Sequence, residues 1–463
     1  MYKTAEEPAV EPVRLPTGKR PERPGGVRDT KERARWLSGL LLLLIAGYQV
    51  YGRAFAYVGL IQQQVFIGEI VLAILILSRR SAVVERWVGW ILTGHSLRRI
   101  GWAYLAFFLW GVFELQRGLF NGSHTTDVLK EFAFNYYPLY LVAGVWAGAT
   151  HPRFLQTAIR ISAWSVALYG IAFLAFFGRF QGLFIPGTLN VDLFGQPGTG
   201  VAILGLLAVS MKISDLVPLL MLTVVMLGTQ VRAEWLGVTV ALLTWAVLSK
   251  RLVRLLVWSA LLGAVLWVLV ITDFSVPAPT SRGGLISAKA LASRLIAPVD
   301  ESLASEYSTD AAYYAGTYSF RTRWWAEIRN SLQGSPTLLI EGYGYGYPLY
   351  QLMPFAAAHK ETVRTPHSWV YYCLAYTGCG GLVLFIVFQA TLGFALFRSG
   401  QRQKQYYGVL VWVFALSMGA FGNFYEAPFG AIPVYVMMGA SLNSGAVRRL
   451  RTPSRLSDAR LLS

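Results

Sequence analysis

The chain has 463 residues, of which 55% are apolar, 14% are aromatic and only 14% are charged. Soluble globular domains are less apolar and more charged than this, so the composition indicates a membrane protein. The formal net charge is +17. A nucleic-acid-binding protein would carry such a charge on a soluble basic face with aromatic platforms, and no segment has that pattern.

Residues 1–36 form a polar, proline-rich and charged amino-terminal segment. The segment has no apolar core followed by a small-residue cleavage site, so it does not resemble a cleavable signal peptide. We expect it to be a disordered basic tail in the cytoplasm. A second basic tail covers residues 444–463.

Long apolar stretches fill most of the rest of the chain. A helix that spans a bilayer needs about 20 mostly apolar residues. We therefore predict an all-α polytopic membrane protein with about 12 transmembrane helices, nine of them in residues 37–272 and three in residues 367–443. The predicted spans are centred on 37–52, 60–78, 100–115, 132–149, 158–177, 198–212, 215–230, 234–249, 253–272, 368–397, 406–423 and 428–443.

Lysine and arginine set the orientation, because loops on the cytoplasmic side are enriched in them. With the amino terminus inside and twelve crossings, most of the 41 basic residues fall on the inner side. We therefore expect both termini in the cytoplasm, with membrane lipids, anionic ones included, as partners of the basic segments. Residues 273–366 then form one large extracytoplasmic loop between the ninth and tenth helices.

Inside this loop, the segment Ser319–Leu332 has apolar and aromatic residues at helical spacing. We predict an amphipathic helix that lies flat at the membrane interface, with its aromatic side chains in the headgroup layer. The residues of this face are Trp324, Trp325, Ile328 and Leu332.

His367 stands where the loop re-enters a long apolar stretch. Thr365-Pro366-His367 predicts an N-cap, a proline in the first helical position and a histidine in the first turn. The positive end of the helix dipole disfavours the imidazolium, and a neutral imidazole at this depth is able to accept a proton. The alternative is an interfacial histidine that only satisfies a neighbouring group.

Two arginines form a second candidate group. Arg232 lies in a very tight outward turn between the seventh and eighth predicted spans, and Arg321 begins the tryptophan-bearing segment. Guanidinium groups are permanently charged and bind phosphate oxygens in a bidentate way. The alternative for Arg232 is an ion pair with Glu234, and for the loop arginines, contact with lipid headgroups.

The pattern His367-Ser368, nine residues, Gly378, two residues, Gly381 resembles the signature of the O-antigen ligase and O-antigen polymerase superfamily. These are bacterial membrane glycosyltransferases that act on undecaprenyl-diphosphate-linked glycans. Two further landmarks of the family are similar in kind and order, and the resemblance covers about residues 35–445. They are Arg232 in its short turn, and Arg321 with Trp325, Pro336, Gly342 and Gly344.

The resemblance implies an inverting, metal-independent glycosyl transfer without a cofactor. The donor would be a glycan on undecaprenyl diphosphate, with its diphosphate held by Arg232 and Arg321. His367 would be the general base for a hydroxyl of the acceptor, which is lipid A core or another glycan. The site would face the periplasm, at the outer surface of the bacterial inner membrane.

Several alternatives remain open at this stage. Arg323 is a second candidate for the loop arginine, and His359 is the next candidate base. Ligase and polymerase share all of these residues, since the difference between them lies in the acceptor. A flippase for lipid-linked sugars is a distant alternative, because the predicted spans are almost free of charge.

Overall fold

The computed structural model describes residues 26–56, 66–78, 83–92, 97–176, 193–194, 197–209, 212–249, 252–279, 284–353 and 365–443. His359, residues 1–25 of the predicted amino-terminal tail and the carboxyl-terminal tail lie outside these ranges. Within them the protein is all-α, apart from one short antiparallel pair of strands.

In the described residues, twelve α-helices precede the large loop. They are α1 (Gly26–Tyr51), α2 (Arg53–Ala56), α3 (Ile67–Leu77), α4 (Val83–Leu92), α5 (Arg98–Phe120), α6 (Thr125–Tyr136), α7 (Leu139–Thr150), α8 (Phe154–Ala175), α9 (Pro197–Val209), α10 (Leu216–Thr229), α11 (Arg232–Ser249) and α12 (Leu252–Ile271).

The loop itself contains two strands and four helices, and three helices follow it. They are β1 (Val276–Pro277), β2 (Leu285–Ile286), α13 (Ala288–Ile296), α14 (Glu301–Ser305), α15 (Ala311–Gln333), α16 (Pro336–Glu341), α17 (Trp369–Gln403), α18 (Tyr407–Gly419) and α19 (Pro428–Asn443).

Three of the described helices are individually long and apolar enough to cross a membrane, namely Phe154–Ala175, Val253–Ile271 and Trp369–Gln403. The outermost of them, Val253–Ile271, has almost no buried residues. An apolar helix that is exposed on nearly all sides is stable where lipid covers it. These helices indicate a membrane protein.

Two boundaries differ from the sequence prediction. Helix α1 begins at Gly26, so the last part of the predicted disordered tail is helical. Helix α4, Val83–Leu92, occupies a segment predicted as a cytoplasmic connection. Val83, Trp90 and Ile91 of α4 are buried, and the helix packs against α5. Tertiary packing of an amphipathic face therefore stabilises a helix that is too short and too polar to read as a span.

The centre of the bundle is held by close contact between α7 and α19. A Cβ atom at Gly144 would meet the backbone of Val436, and one at Gly439 would meet the carbonyl of Leu141. Small residues at such crossings let two backbones approach closely, which is how helices gain packing energy in a membrane.

The tryptophan-bearing segment of the loop lies inside a longer helix, α15. Its apolar face does not point into a headgroup layer as predicted. Trp324, Ile328 and Leu332 are fully or almost fully buried and belong to the main hydrophobic core. The amphipathic pattern was therefore interpreted correctly as a helix, but its apolar face packs on the protein rather than on lipid.

Helix α17 is broken at Gly378, which has a left-handed backbone (φ 62°, ψ −168°). The carbonyl of Ile340, at the end of α16, lies against this residue where a Cβ would stand. The Trp110 indole Nε1 donates to the Thr377 carbonyl at 3.0 Å. Gly381 adjoins the Thr377 side chain and Trp110 in the same way. Gly378 therefore allows the loop to dock on α17, whereas Gly381 allows Trp110 of α5 to approach the same helix.

Candidate functional site

His367 lies in a bend before α17 and not in its first turn. The helix begins at Trp369, and His367 has a left-handed backbone with φ 54°, which an α-helix excludes. The N-cap of α17 is Ser368, whose side chain makes no capping hydrogen bond. The predicted N-cap residue, Thr365, donates its hydroxyl to Asn423 Oδ1 at 2.6 Å instead. The prediction of Thr365 as N-cap was therefore wrong.

The bend is fixed on its other side by α15. The indole Nε1 of Trp325 donates to the Pro366 carbonyl at 2.7 Å, one peptide before His367. The Trp325 ring stacks in parallel on Tyr371, with 4.9 Å between the ring centroids. Contacts from two separate elements thus hold His367 in an uncommon backbone conformation, which is typical of a functional position.

The electrostatics around His367 favour the neutral imidazole. Burial, followed by the positive charges of Arg321 and Arg53, lowers the pKa of His367 from 6.5 to about 3. The direction agrees with the sequence prediction, but the cause is different. The helix dipole was expected to lower the pKa of His367, but the residue lies outside the helix. Desolvation and the charges of two arginines lower this pKa instead.

Arg321 reaches this site from the middle of α15. Its Nη1 donates to the Phe421 carbonyl at 2.7 Å, in the connection between α18 and α19. Arg323 is two residues further along the helix, about 200° around its axis, and its side chain is exposed. The structure therefore brings Arg321, and not Arg323, to the vicinity of His367.

Arg232 is the first residue of α11, after a two-residue turn in which Gln230 has a left-handed backbone. Its guanidinium donates to the carbonyls of Arg294 (3.3 Å) and Tyr314 (3.2 Å) and to the Thr317 hydroxyl (2.9 Å). All three acceptors are neutral groups of the large loop. Since a guanidinium has five N–H donors, part of its capacity remains for an anion.

The alternative interpretation of Arg232 was an ion pair with Glu234. The Glu234 carboxylate binds elsewhere. The Glu234 side chain is buried, and its Oε1 accepts the backbone N–H of Gly200 at 2.7 Å. That N–H lies in the first turn of α9, where free backbone donors and the helix dipole favour a carboxylate. Glu234 therefore serves the amino terminus of α9.

The residues of the site lie in a row along one face of α15. Thr317, Arg321 and Trp325 are spaced by four residues, so they lie on the same side of the helix, each about 6 Å further along its axis. Thr317 contacts Arg232, and Trp325 contacts the peptide before His367. The order along the helix is therefore Arg232, Arg321, His367.

The connection between α18 and α19 closes the opposite side. Phe421 accepts from Arg321, and Asn423 accepts from Thr365. Between them, a Cβ at Gly422 would lie 3.9 Å from the Ala233 side chain, next to Arg232. Sequence reasoning missed this connection. Its one local signal is the glycine and asparagine between two apolar stretches, which marks a break but not a contact.

No protein-family model matches the chain, and no curated protein matches it.

Arg53, in the one-turn helix α2, is a second residue that the sequence did not associate with His367. Arg53 contributes its charge at His367. Only the tertiary arrangement of α2 and the start of α17 brings these two residues together.

The glycine-rich stretch after α16 holds the loop onto α5 rather than lining the site. Arg117 of α5 donates Nη1 to the Glu341 carboxylate at 2.7 Å and Nη2 to the Gly342 carbonyl at 2.6 Å. The Gly344 N–H donates to the Tyr376 carbonyl at 3.0 Å. These bonds fix the end of α16 against α17 and so support the position of α15.

Chemically, the site combines a neutral imidazole with guanidinium groups at one end of the bundle. The guanidinium groups are suited to bind an anionic ligand, and the imidazole is suited to accept a proton from a group next to that ligand. Within the described residues, no group of three His, Cys, Asp or Glu side chains is placed to hold a metal ion.

Proposed function

We propose that the chain is a membrane glycosyltransferase of the O-antigen ligase type. It would transfer a glycan from undecaprenyl diphosphate to a sugar hydroxyl on the outer face of the bacterial inner membrane. The observation that carries the proposal is the row Arg232, Arg321, His367 along α15. These are the three residues, far apart in sequence, that the resemblance assigns to one reaction.

The proposed roles follow from the order of the row. Arg232 and Arg321 bind the donor diphosphate and offset the charge that develops on it as the glycosidic bond breaks. His367 accepts the proton of the acceptor hydroxyl, whose oxygen attacks the anomeric carbon. The leaving undecaprenyl diphosphate takes the electron pair of the broken carbon–oxygen bond, and the configuration at the anomeric carbon inverts.

The low pKa of His367 is consistent with a general base whose pKa rises when the substrate binds. In the free protein the imidazole is neutral at physiological pH, because its pKa is about 3. A bound diphosphate near Arg321 would offset part of the positive charge and raise the pKa of His367 towards neutrality. Proton transfer is most efficient when the pKa of the base lies near the working pH.

The proposal includes about 12 transmembrane helices, both termini in the cytoplasm and the site outside. A helix lies at each of the twelve predicted segments, although several are shorter than a full span. A polymerase of the same superfamily is the alternative function. The residues described above are shared by both activities, so the acceptor decides between them.

The test is reconstitution of the purified protein in liposomes with an undecaprenyl-diphosphate-linked oligosaccharide and a lipid A core acceptor. One transfer onto the acceptor indicates a ligase, and a ladder that remains on undecaprenyl diphosphate indicates a polymerase. We expect His367→Ala to abolish transfer while the protein still inserts and elutes as a single species. Normal transfer by this variant would refute the general-base role.

Arg321 and Arg323 provide a matched pair for the donor site. Arg321→Gln should lower kcat/KM by about 10²-fold, since a charge that stabilises the leaving group is lost. Arg323→Gln removes the same charge from the exposed side of the same helix and should change kcat/KM by less than about twofold. Equal effects of the two substitutions would show that net charge, and not position, is responsible.

A further inference from the structure

Three aromatic side chains lie together beside the peptide that precedes His367. Trp325 and Tyr371 form the parallel stack beside Pro366 and are half-buried. The Phe421 ring lies 6.4 Å from the Trp325 ring, centroid to centroid, and is 41% exposed. Phe421 is therefore tilted against the Trp325–Tyr371 stack and is the exposed member of the three.

Polar groups surround this aromatic cluster. The Phe421 carbonyl binds Arg321, the Thr365 hydroxyl binds Asn423, and the Trp325 indole binds the Pro366 carbonyl. A sugar ring presents an apolar C–H face and a rim of hydroxyl groups, so a mixed aromatic and polar surface is suited to it. A polyprenyl chain has no polar groups and would fit a groove lined only by apolar side chains.

The geometry points to a subsite for the acceptor sugar at Phe421, with Trp325 and Tyr371 behind it. This inference rests on the proposed function and adds to it the place where the acceptor ring stacks. A hydroxyl of that ring would then reach His367 from the Trp325 end of the row.

The position along α15 assigns this subsite to the acceptor rather than to the donor. Thr317, at one end of the row, contacts Arg232, and Arg321 follows one turn later. Trp325 lies a further turn away from Arg232 and touches the peptide next to His367. The donor diphosphate between the arginines and the acceptor ring on the aromatic cluster would thus approach His367 from opposite ends.

Kinetics with separate titration of the two substrates test the inference. In the reconstituted reaction, Phe421→Leu should raise the KM for the lipid A core acceptor about three- to tenfold, because leucine keeps volume but loses the aromatic face. The KM for the lipid-linked donor should stay unchanged, and Phe421→Tyr should restore the acceptor KM. Tyr307→Leu is the control, since Tyr307 is equally exposed (42%) but lies in the large loop, between α14 and α15.

A binding measurement without turnover separates this inference from the proposed function. The probe is the oligosaccharide released from the acceptor lipid, added to the His367→Ala protein in saturation-transfer difference NMR. We expect magnetisation transfer from aromatic protons to the sugar, reduced by Phe421→Leu and not by Tyr307→Leu. An unchanged acceptor KM, an increase in the donor KM instead, or equal saturation transfer with and without Phe421 would overturn the subsite.

Discussion

At the scale of single residues, His367 combines three unusual properties. Its backbone is left-handed, its pKa is strongly lowered, and its nearest charged neighbours are cationic. The left-handed backbone is strained, and burial beside Arg321 and Arg53 disfavours the protonated imidazole. Sites that carry such costs are usually those where a ligand relieves them.

The lowered pKa of His367 predicts a pH dependence of stability. The unfolded chain takes up a proton near pH 6.5, whereas the folded protein does so only near pH 3. Between these values the unfolded state binds more protons, so stability rises with pH and is lost as the pH falls below about 6.5. His367→Gln should lack this component.

We expect the Tm of the wild type to fall by about 2–4 °C more than that of His367→Gln between pH 7 and pH 5. Thermal unfolding in detergent, followed by intrinsic fluorescence at several pH values, measures this difference. Parallel pH profiles of the two proteins would contradict a lowered pKa at His367.

Residue types and spacing in the sequence selected His367, Arg232 and Arg321 as candidates: the first two lie at the ends of apolar segments, and Arg321 begins the tryptophan-bearing segment of the loop. The partners of these residues were not predictable in the same way. Glu234 is close to Arg232 in sequence, yet its carboxylate binds Gly200 in another helix. Arg53 acts at His367 across more than 300 positions of the chain. Such pairings depend on how the helices pack.

At the scale of elements, the break in α17 at Gly378 is where the large loop packs on this helix. Gly378 has φ 62°, and its missing Cβ leaves room for the end of α16. Gly380 and Gly381, in the next turn of α17, adjoin Trp110 of α5, so a neighbouring helix also approaches closely here. A left-handed residue within an apparently continuous apolar span has no periodic signature, so the break itself was not visible.

Gly378→Ala should therefore destabilise the docking of the loop on α17. The new methyl group meets the Ile340 backbone, and alanine disfavours φ 62°. We expect a loss of about 2–4 kcal/mol in the free energy of unfolding and faster proteolysis between α15 and α17.

Gly316→Ala is the matched control for this substitution. Gly316 lies within α15, has helical backbone angles and has no atom within 4 Å of a new Cβ. Alanine there should be neutral or stabilise the helix by about 0.5–1 kcal/mol. If Gly378→Ala behaved like Gly316→Ala, the break would not be needed for docking.

At the scale of the whole molecule, helix ends that were predicted to share a side of the membrane lie together in pairs. The Ser38 hydroxyl in α1 is 3.0 Å from His151 Nδ1, just after α7. The Ser399 hydroxyl in α17 donates to the Ser441 carbonyl in α19 at 3.1 Å. All four residues lie at predicted inner ends of spans, whereas the site and the loop lie at predicted outer ends.

The two-ended arrangement predicts which positions a membrane-impermeant thiol reagent reaches in intact cells. With both native cysteines replaced by alanine, a cysteine at Asn121 or Ser302 should be labelled from outside. Both positions are exposed, the first at the end of α5 and the second in the loop helix α14. A cysteine at Arg153 or Gln401, also exposed, should be labelled only after the membrane is permeabilised. The distribution of basic residues favours this orientation, because cytoplasmic segments are enriched in lysine and arginine. Labelling of Gln401→Cys and Ser302→Cys from the same side would contradict an odd number of crossings between the loop and the end of α17. It would also contradict the proposed outer-face position of His367, where the proposed lipid-linked glycan donor would bind.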